Sequence, residues 1–367
     1  MRFIYFILVF TCLHYSAIAQ QKNYKYYHLD INKAEEQAFV MNDIKGALVT
    51  YQNTFSKYDF VFVHDCMTAI ELALYDSNAK AFLAFVDKGT ENGLMPRHMM
   101  YIPYIKKHPL FAKYDDSVAA IYKRNRPKYL AGIDTPALKK MYSLYGYDQM
   151  EKNPMKGEGF GPENGRRYKP QIEKTWGELK KLILEKGWPS DKLIGLEQTD
   201  IMKELKTGTP DMMELYELYK EGYNYNIGAG QFTLEEYGLY STLFFAVMVH
   251  YATYFGFNFF PDEVYIQQIE AGYLHPKDIA YVLDFQINWN VDSTTQARRR
   301  NTMRYFGTGT TGRGHHITSH TYRVPIEKID SARAKFYIKP VKTEIAKNNF
   351  ALRNKIFMGW GYGACRL

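Results

Sequence analysis

The sequence contains little cysteine and only a small excess of positive charge. Three cysteines in 367 residues exclude a small secreted domain held together by several disulfides. Lysine and arginine number 47 against 39 aspartates and glutamates, a net charge of +8, which is too little for this length to indicate nucleic-acid binding. The 46% hydrophobic content, with 32 tyrosines and 23 phenylalanines, excludes a wholly disordered chain. The length suffices for one large or two ordinary domains.

The sequence also lacks an uninterrupted apolar run long enough to predict a membrane-spanning helix in the mature chain. Residues 237–261 carry no charged side chain, but Ser241, Thr242 and His250 interrupt them. An apolar stretch broken by polar groups is typical of the central buried helix of a domain. We therefore predict a long buried helix over Thr233–Phe255 and no transmembrane span.

The first 19 residues have the pattern of a secretory signal peptide. Arg2 gives a positive start, Phe3–Leu13 is a short apolar region, and Ala17–Ala19 is an A-x-A cleavage site. Cleavage there leaves Gln20 as the new N-terminus. The alternative is an uncleaved membrane anchor, for which the apolar run is short. The sequence thus predicts an exported protein, periplasmic or secreted.

Two cysteines remain after that cleavage. Cys66 lies in an apolar helical pattern, and Cys365 lies three residues from the end. An exported protein can form a disulfide between them, but spacing alone cannot bring them together. We favour one buried thiol and one tail thiol.

An internal repeat in the N-terminal region has an offset of 34 residues. Two segments separated by this offset share a pattern, with a small residue at position i, a large one at i+1 and an aromatic one at i+4. On a helix these positions form a face suited to close packing. The matched pairs are Ala47 with Ala81, Leu48 with Phe82, and Tyr51 with Phe85. Asp43 and Ser77 are the expected N-caps of the two helices.

The 34-residue period resembles that of tetratricopeptide helix-turn-helix units. We expect a tetratricopeptide-like helical hairpin region over residues 24–130. Two units are fewer than such a repeat needs to bury a core alone, so they should dock on the next domain of the chain. The hairpins are either a surface for a protein or peptide partner or a structural cap.

Residues 136–345 are predicted to form a second, helical domain with an irregular C-terminal region, followed by a tail over residues 346–367. Short motifs succeed one another in this domain. They are Asp148-Gln149, Gly187-Trp188-Pro189, His250 within an apolar helix, and Tyr305-Phe306-Gly307-Thr308. Their order resembles a bacterial family of uncharacterised, mainly helical domains that often come after tetratricopeptide-like hairpins in exported proteins.

The resemblance implies a mainly α fold and a set of candidate positions, and it implies no established activity. Val249 stands before the helix histidine where the family has glutamine, and Phe306 splits the Tyr-Gly-Thr motif. The candidate ligand-binding positions that the family motifs supply are Gln149, Tyr281, Tyr305 and Arg333.

The candidate catalytic residues are a histidine and two carboxylates. His250 on an apolar helix needs a partner for its ring nitrogens, and Asp284 or Asp148 could supply it. Such a pair can act as an acid and base or can simply satisfy a core histidine. The structural role is the commoner one, and binding of a ligand is the third alternative.

Several other chemistries lack their required residues. No serine occupies a nucleophile-elbow pattern. Gly307–Gly314 lacks the Gly-Lys-Ser/Thr ending of a phosphate loop, and the pair His316 and His320 lacks the glutamate of the usual zinc motif, since Ile317 follows His316. We predict no cofactor and no metal site.

Together these patterns predict an exported, mainly α protein that acts as a non-catalytic scaffold for a protein or peptide. The alternative is a hydrolase-like enzyme that uses His250 with Asp284 or Asp148. We expect no nucleic-acid partner.

Overall fold

The computed structural model describes residues 22–100, 102–150, 162–196, 198–208, 247–248, 251, 255, 259–278 and 325–356. Every regular element in these ranges is a helix, and none of the described residues forms a strand, which confirms the mainly α prediction. The helices are α1 Tyr24–Phe39, α2 Ile44–Lys57, α3 Val63–Tyr75, α4 Ala79–Glu91, α5 Pro96–Met100, α6 Pro103–Lys106, α7 Pro109–Lys113, α8 Asp115–Ala131, α9 Thr135–Met150, α10 Pro162–Lys186, α11 Gln198–Glu204, α12 Asp262–Glu270, α13 Ile326–Lys335 and α14 Val341–Asn354.

The N-terminal region consists of two helical hairpins. Helix α1 packs on α2, α3 packs on α4, and α4 packs in turn on α8. Asp43 caps α2 by accepting the Gly46 N–H (2.9 Å), as predicted. The predicted N-cap at Ser77 is wrong, because Asn78 caps α4 by accepting the Ala81 N–H (3.0 Å).

The reason for that error is the conformation of the turn. Asn42 and Ser77 both adopt a left-handed backbone, with φ of 58° and 54°. Each is therefore the residue that reverses the chain, and the cap comes directly after it. The two turns are equivalent at an offset of 35 residues, one more than the side-chain alignment indicates.

Two hydrophobic cores divide the described chain near the middle of α8. Val118, in the N-terminal half of α8, belongs to the core of the hairpins. Tyr129, in its C-terminal half, belongs to a second core built on α9, α10 and α12. Both cores therefore share α8, and the division expected between residues 130 and 136 falls at the C-terminal end of that helix.

The last described helix returns to the hairpins. The ring of Phe350 on α14 lies 5.4 Å from that of Phe39 and 4.9 Å from that of Tyr75. Phe350 and Ile356 belong to the hairpin core. The tail predicted from residue 346 is thus helical over its first nine residues, and the expected boundary at 345 lies inside α14.

Several predictions lie outside the described residues, namely the signal peptide, Cys365 and most of the helix over Thr233–Phe255. Cys66 is described and is a fully buried free thiol, which confirms its predicted burial. Among the helices that the structure describes, none has the length and apolar character needed to cross a bilayer.

Candidate functional site

The predicted site residues fall partly inside the described structure. His250, Asp284, Tyr281 and Tyr305 lie outside it, and Gln149 is described only as part of α9.

Asp148 and Arg333 are both buried and both have structural partners. The Asp148 carboxylate accepts a hydrogen bond from the Tyr168 hydroxyl (2.8 Å), which joins α9 to α10. The Arg333 Nε donates to the Lys339 carbonyl (2.6 Å), which closes the turn between α13 and α14. These contacts account for the burial of the two side chains without a bound ligand.

A different group of titratable side chains meets where α1, α3 and the segment after α12 come together. It consists of His28, His64, Asp65 and His275, which we call the histidine–aspartate cluster. His28, Asp65 and His275 are buried, and His64 is nearly so. Sequence reasoning missed this cluster.

Tyr27 orients the carboxylate of the cluster. Its hydroxyl donates to Asp65 Oδ2 (2.9 Å) and accepts the N–H of Phe62 (3.3 Å). Phe62 is the N-cap of α3, and its side chain cannot cap the helix. The Tyr27 hydroxyl therefore satisfies one of the free N–H groups at the start of α3. Asp65 lies in the first turn of α3, where the helix dipole favours a negative charge.

Two imidazoles face the two oxygens of Asp65. His64 Nε2 lies 3.4 Å from Oδ1, and His275 Nε2 lies 3.5 Å from Oδ2. The two rings are edge to face, with centroids 4.0 Å apart. One donor atom from each of the three residues lies within 4.8 Å of the others.

The other nitrogen of His275 defines its tautomer. Nδ1 accepts the backbone N–H of Lys277 (3.1 Å). A neutral imidazole whose Nδ1 is an acceptor carries its proton on Nε2. In this arrangement the N–H of His275 therefore points towards Asp65.

All three histidines of the cluster are neutral at neutral pH. Burial lowers the pKa of His28 and His64 well below the usual value, and the neighbouring His275 lowers both further. Burial also lowers the pKa of His275, and the charge of Lys277 adds to the effect. Neutral imidazoles are the form that can coordinate a metal ion.

A layer of buried ion pairs lies next to the cluster. Glu35 on α1 accepts from Lys347 (2.6 Å) and from Lys339, and Lys339 also pairs with Glu344 (3.0 Å). Burial opposes ionisation of Glu35, but Lys339 and Lys347 outweigh it and hold the pKa of the carboxyl well below its usual range. Burial lowers the pKa of Lys347 to about 8.

A cavity of about 20 Å³ lies between the cluster and this layer. That volume suffices for at least one water molecule, since a water needs roughly 10–15 Å³. Its polar lining comes from His28, Asn32, Glu35, Asp65, His275, Lys277 and Lys339. The Nε2 atom of His28 is buried and has no hydrogen-bond partner among the described residues.

The three residues are close enough together to be candidate ligands of one ion. One imidazole nitrogen lies beside each oxygen of the Asp65 carboxylate, at 3.4 Å from Oδ1 and 3.5 Å from Oδ2. These two contacts end on different oxygens, so they show that both imidazoles adjoin the carboxylate and do not measure two edges of one coordination tetrahedron.

Comparison of the chain with protein-family models, with curated proteins and with solved structures finds no match. The resemblance of Asp148-Gln149 and the motifs after it to a helical family therefore stays a prediction.

Proposed function

We propose that this protein binds one divalent transition-metal ion through His64, Asp65 and His275. The observation that carries the proposal is the convergence of one donor atom from each of these three residues, all within 4.8 Å of one another. Imidazole nitrogens and a carboxylate oxygen are ligands that divalent transition metals accept.

The donor set favours zinc, cobalt or ferrous iron. Imidazole suits these ions, and two histidines with one carboxylate leave at least one coordination position open. Calcium and magnesium prefer sets made of oxygen donors alone. The open position would face the cavity, because both Asp65 and His275 line it.

Coordination through Nε2 of His275 requires a change of tautomer. The ring proton must move from Nε2 to Nδ1, and Nδ1 then no longer accepts the hydrogen bond from the Lys277 N–H. Asp278 Oδ1 lies 4.0 Å from Nδ1 and is the carboxylate placed to accept a hydrogen bond from the new Nδ1–H. A carboxylate behind a ligating histidine is a common arrangement that raises the basicity of the ligand.

The ion would join the two halves of the fold. His64 and Asp65 belong to α3 of the hairpins, and His275 lies after α12, which packs in the second core. Two hairpins are too few to bury a core alone and must dock on the second domain. A metal ion at this junction would stabilise that docking.

Equilibrium dialysis of the full chain against Zn²⁺ or Co²⁺ tests the proposal. We expect about one equivalent per chain, and a loss of affinity of ~100-fold or more in Asp65→Asn and His64→Gln, because even changes behind the ligands cost 10–100-fold. His108→Asn is the matched control. It removes an imidazole outside the cluster and keeps an acceptor for the Leu110 N–H. Equal metal content in all four proteins would contradict the proposal.

The scaffold role remains a second candidate. The outer face of α1 exposes Tyr26 (61% exposed) and Leu29 (42% exposed), which are spaced one helical turn apart. If the hairpins bind a peptide or protein, serine at both positions should abolish that binding and leave the metal content unchanged. Loss of metal in this variant would instead indicate a folding defect.

Export and the hydrolase alternative also stay proposals. Export is supported by the signal-peptide pattern of residues 1–19. For the alternative of His250 with Asp284 or Asp148, the buried hydrogen bond from Tyr168 to Asp148 favours a structural carboxylate.

A further inference from the structure

We infer that His28 is the fourth ligand of the proposed metal ion, so that protein side chains alone hold the ion and its role is structural. The inference rests on the proposed function, in which three ligands leave a position open towards the cavity. Three observations support it, namely the unpartnered imidazole nitrogen of His28, the place of this ring on the cavity, and the partners that the other donors of the cavity already have.

The imidazole of His28 is a buried polar group whose Nε2 atom forms no hydrogen bond. The residue is 2% exposed, and Nε2 is buried without a partner in the described ranges. Nε2 of His64 is also buried without a hydrogen bond, although Asp65 Oδ1 lies 3.4 Å from it. Buried polar atoms are normally satisfied, so two such nitrogens in one cluster point to a shared ligand. In either tautomer a neutral imidazole keeps a lone pair on one nitrogen, with which it can bind a cation.

The ring of His28 lies on the side of the cluster that the open position faces. It lines the cavity together with Asp65 and His275. It stands edge to face with the ring of His275, and the two centroids are 5.1 Å apart. His28 does not belong to the set of donor atoms within 4.8 Å of one another, so ligation requires its ring to move towards the ion. The cavity borders this ring and provides space for that movement.

The other donors of the cavity are engaged or less suitable. Both oxygens of the Glu35 carboxylate accept from buried lysines. The Asn32 amide is held by its hydrogen bond to the Tyr337 carbonyl (2.7 Å), and an amide oxygen suits these ions less well than an imidazole. Among the imidazole, amide and carboxylate side chains that line the cavity in the described part of the chain, His28 is therefore the best fourth ligand.

Four protein ligands make a closed site. Structural zinc sites are four-coordinate, whereas catalytic sites keep one position for water or substrate. The ligands come from three segments of the chain, since His28 lies on α1, His64 and Asp65 lie on α3, and His275 lies after α12. An ion bound in this way stabilises the packing of these segments on one another and takes no ligand from solution.

The test uses the full chain loaded with Co²⁺, whose visible absorption reports the number and type of its ligands. In His28→Ala the spectrum should change and the affinity for Co²⁺ should fall by about tenfold or more. Free imidazole, the ring that this substitution removes, should restore the wild-type spectrum. His28→Phe places an aromatic ring in the same surroundings, beside Tyr27 and Phe62. It should show the same loss without rescue by imidazole, because its own ring fills the space. His108→Asn should behave as the wild type.

The outcomes separate the two proposals. Absence of bound Co²⁺ in the wild type overturns both. Wild-type affinity and spectrum in the two His28 variants overturn the fourth ligand and leave the three-ligand site in place. A loss in His28→Ala that imidazole does not restore shows that His28 acts through packing, and it also overturns the inference. Should His28→Ala fail to fold, the spectrum of His28→Phe decides, since an unchanged spectrum there excludes His28 as a ligand.

Discussion

Replacement of Glu35 by glutamine is expected to lower the free energy of unfolding by about 3–5 kcal/mol, the usual effect of removing one partner from a buried ion pair. Glu35 is the carboxylate shared by Lys339 and Lys347, and both lysines are 1% exposed. Glutamine keeps the size of the side chain but leaves two buried ammonium groups with one carboxylate, that of Glu344, between them. Urea unfolding followed by circular dichroism measures the change.

The neighbouring residue provides a matched control. Glu36 pairs with Lys342 at 3.2 Å, but the two side chains are 36% and 64% exposed. Glu36→Gln should therefore change the free energy of unfolding by at most about 1 kcal/mol. Equal effects of the two substitutions would show that the buried layer does not hold α1 against α14.

A second substitution tests the mechanism. Lys347→Met added to Glu35→Gln removes one of the two stranded charges, so the double variant should recover part of the lost stability. The coupling between the two sites is obtained from the double-mutant cycle. A purely additive loss would mean that Glu35 acts through packing rather than charge.

The hairpins could be predicted from sequence because their signals are local. Asp43 precedes an apolar helical pattern, and Ala47 and Tyr51 lie one turn apart on the face that becomes buried. The turn at Ser77 could not be predicted, since nothing in the residue type indicates a left-handed backbone there. The predicted N-cap of α4 is therefore one residue too early, at Ser77 instead of Asn78.

The histidine–aspartate cluster could not be predicted, because its members are brought together by the tertiary fold. His275 is more than 200 positions from Asp65 along the chain. A partial signal was present in α1, where His28 and Glu35 lie two helical turns apart on the apolar stripe. The buried face of α1 consists of Tyr24, Tyr27, His28, Ile31, Ala34, Glu35, Ala38 and Phe39. Polar residues at core positions predict buried partners without identifying them.

Acidification is expected to destabilise the protein as the pH falls below about 6.5. Burial holds the pKa of His28, His64 and His275 well below 6.5 in the folded chain. The unfolded chain therefore binds more protons in this range, and stability falls with the pH. Each imidazole that titrates only in the unfolded state contributes about 1.4 kcal/mol per pH unit, so three give about 4 kcal/mol per unit.

The carboxylates do not account for this window. Glu35 and Glu344 have lowered pKa values, that of Glu344 being about 2, so their contribution is lost as the pH falls from the ordinary carboxyl pKa of 4.5 towards those lower values, beneath most of this window. Urea unfolding at intervals between pH 6.5 and 4.5 measures the slope. His28→Phe places an aromatic ring among Tyr27 and Phe62, whose centroids lie 5.1 and 5.6 Å from that of His28, and should reduce the slope by about a third. An unchanged slope in that variant would show that His28 takes up its proton in the folded state, which would require the cavity to admit water and a counter-ion.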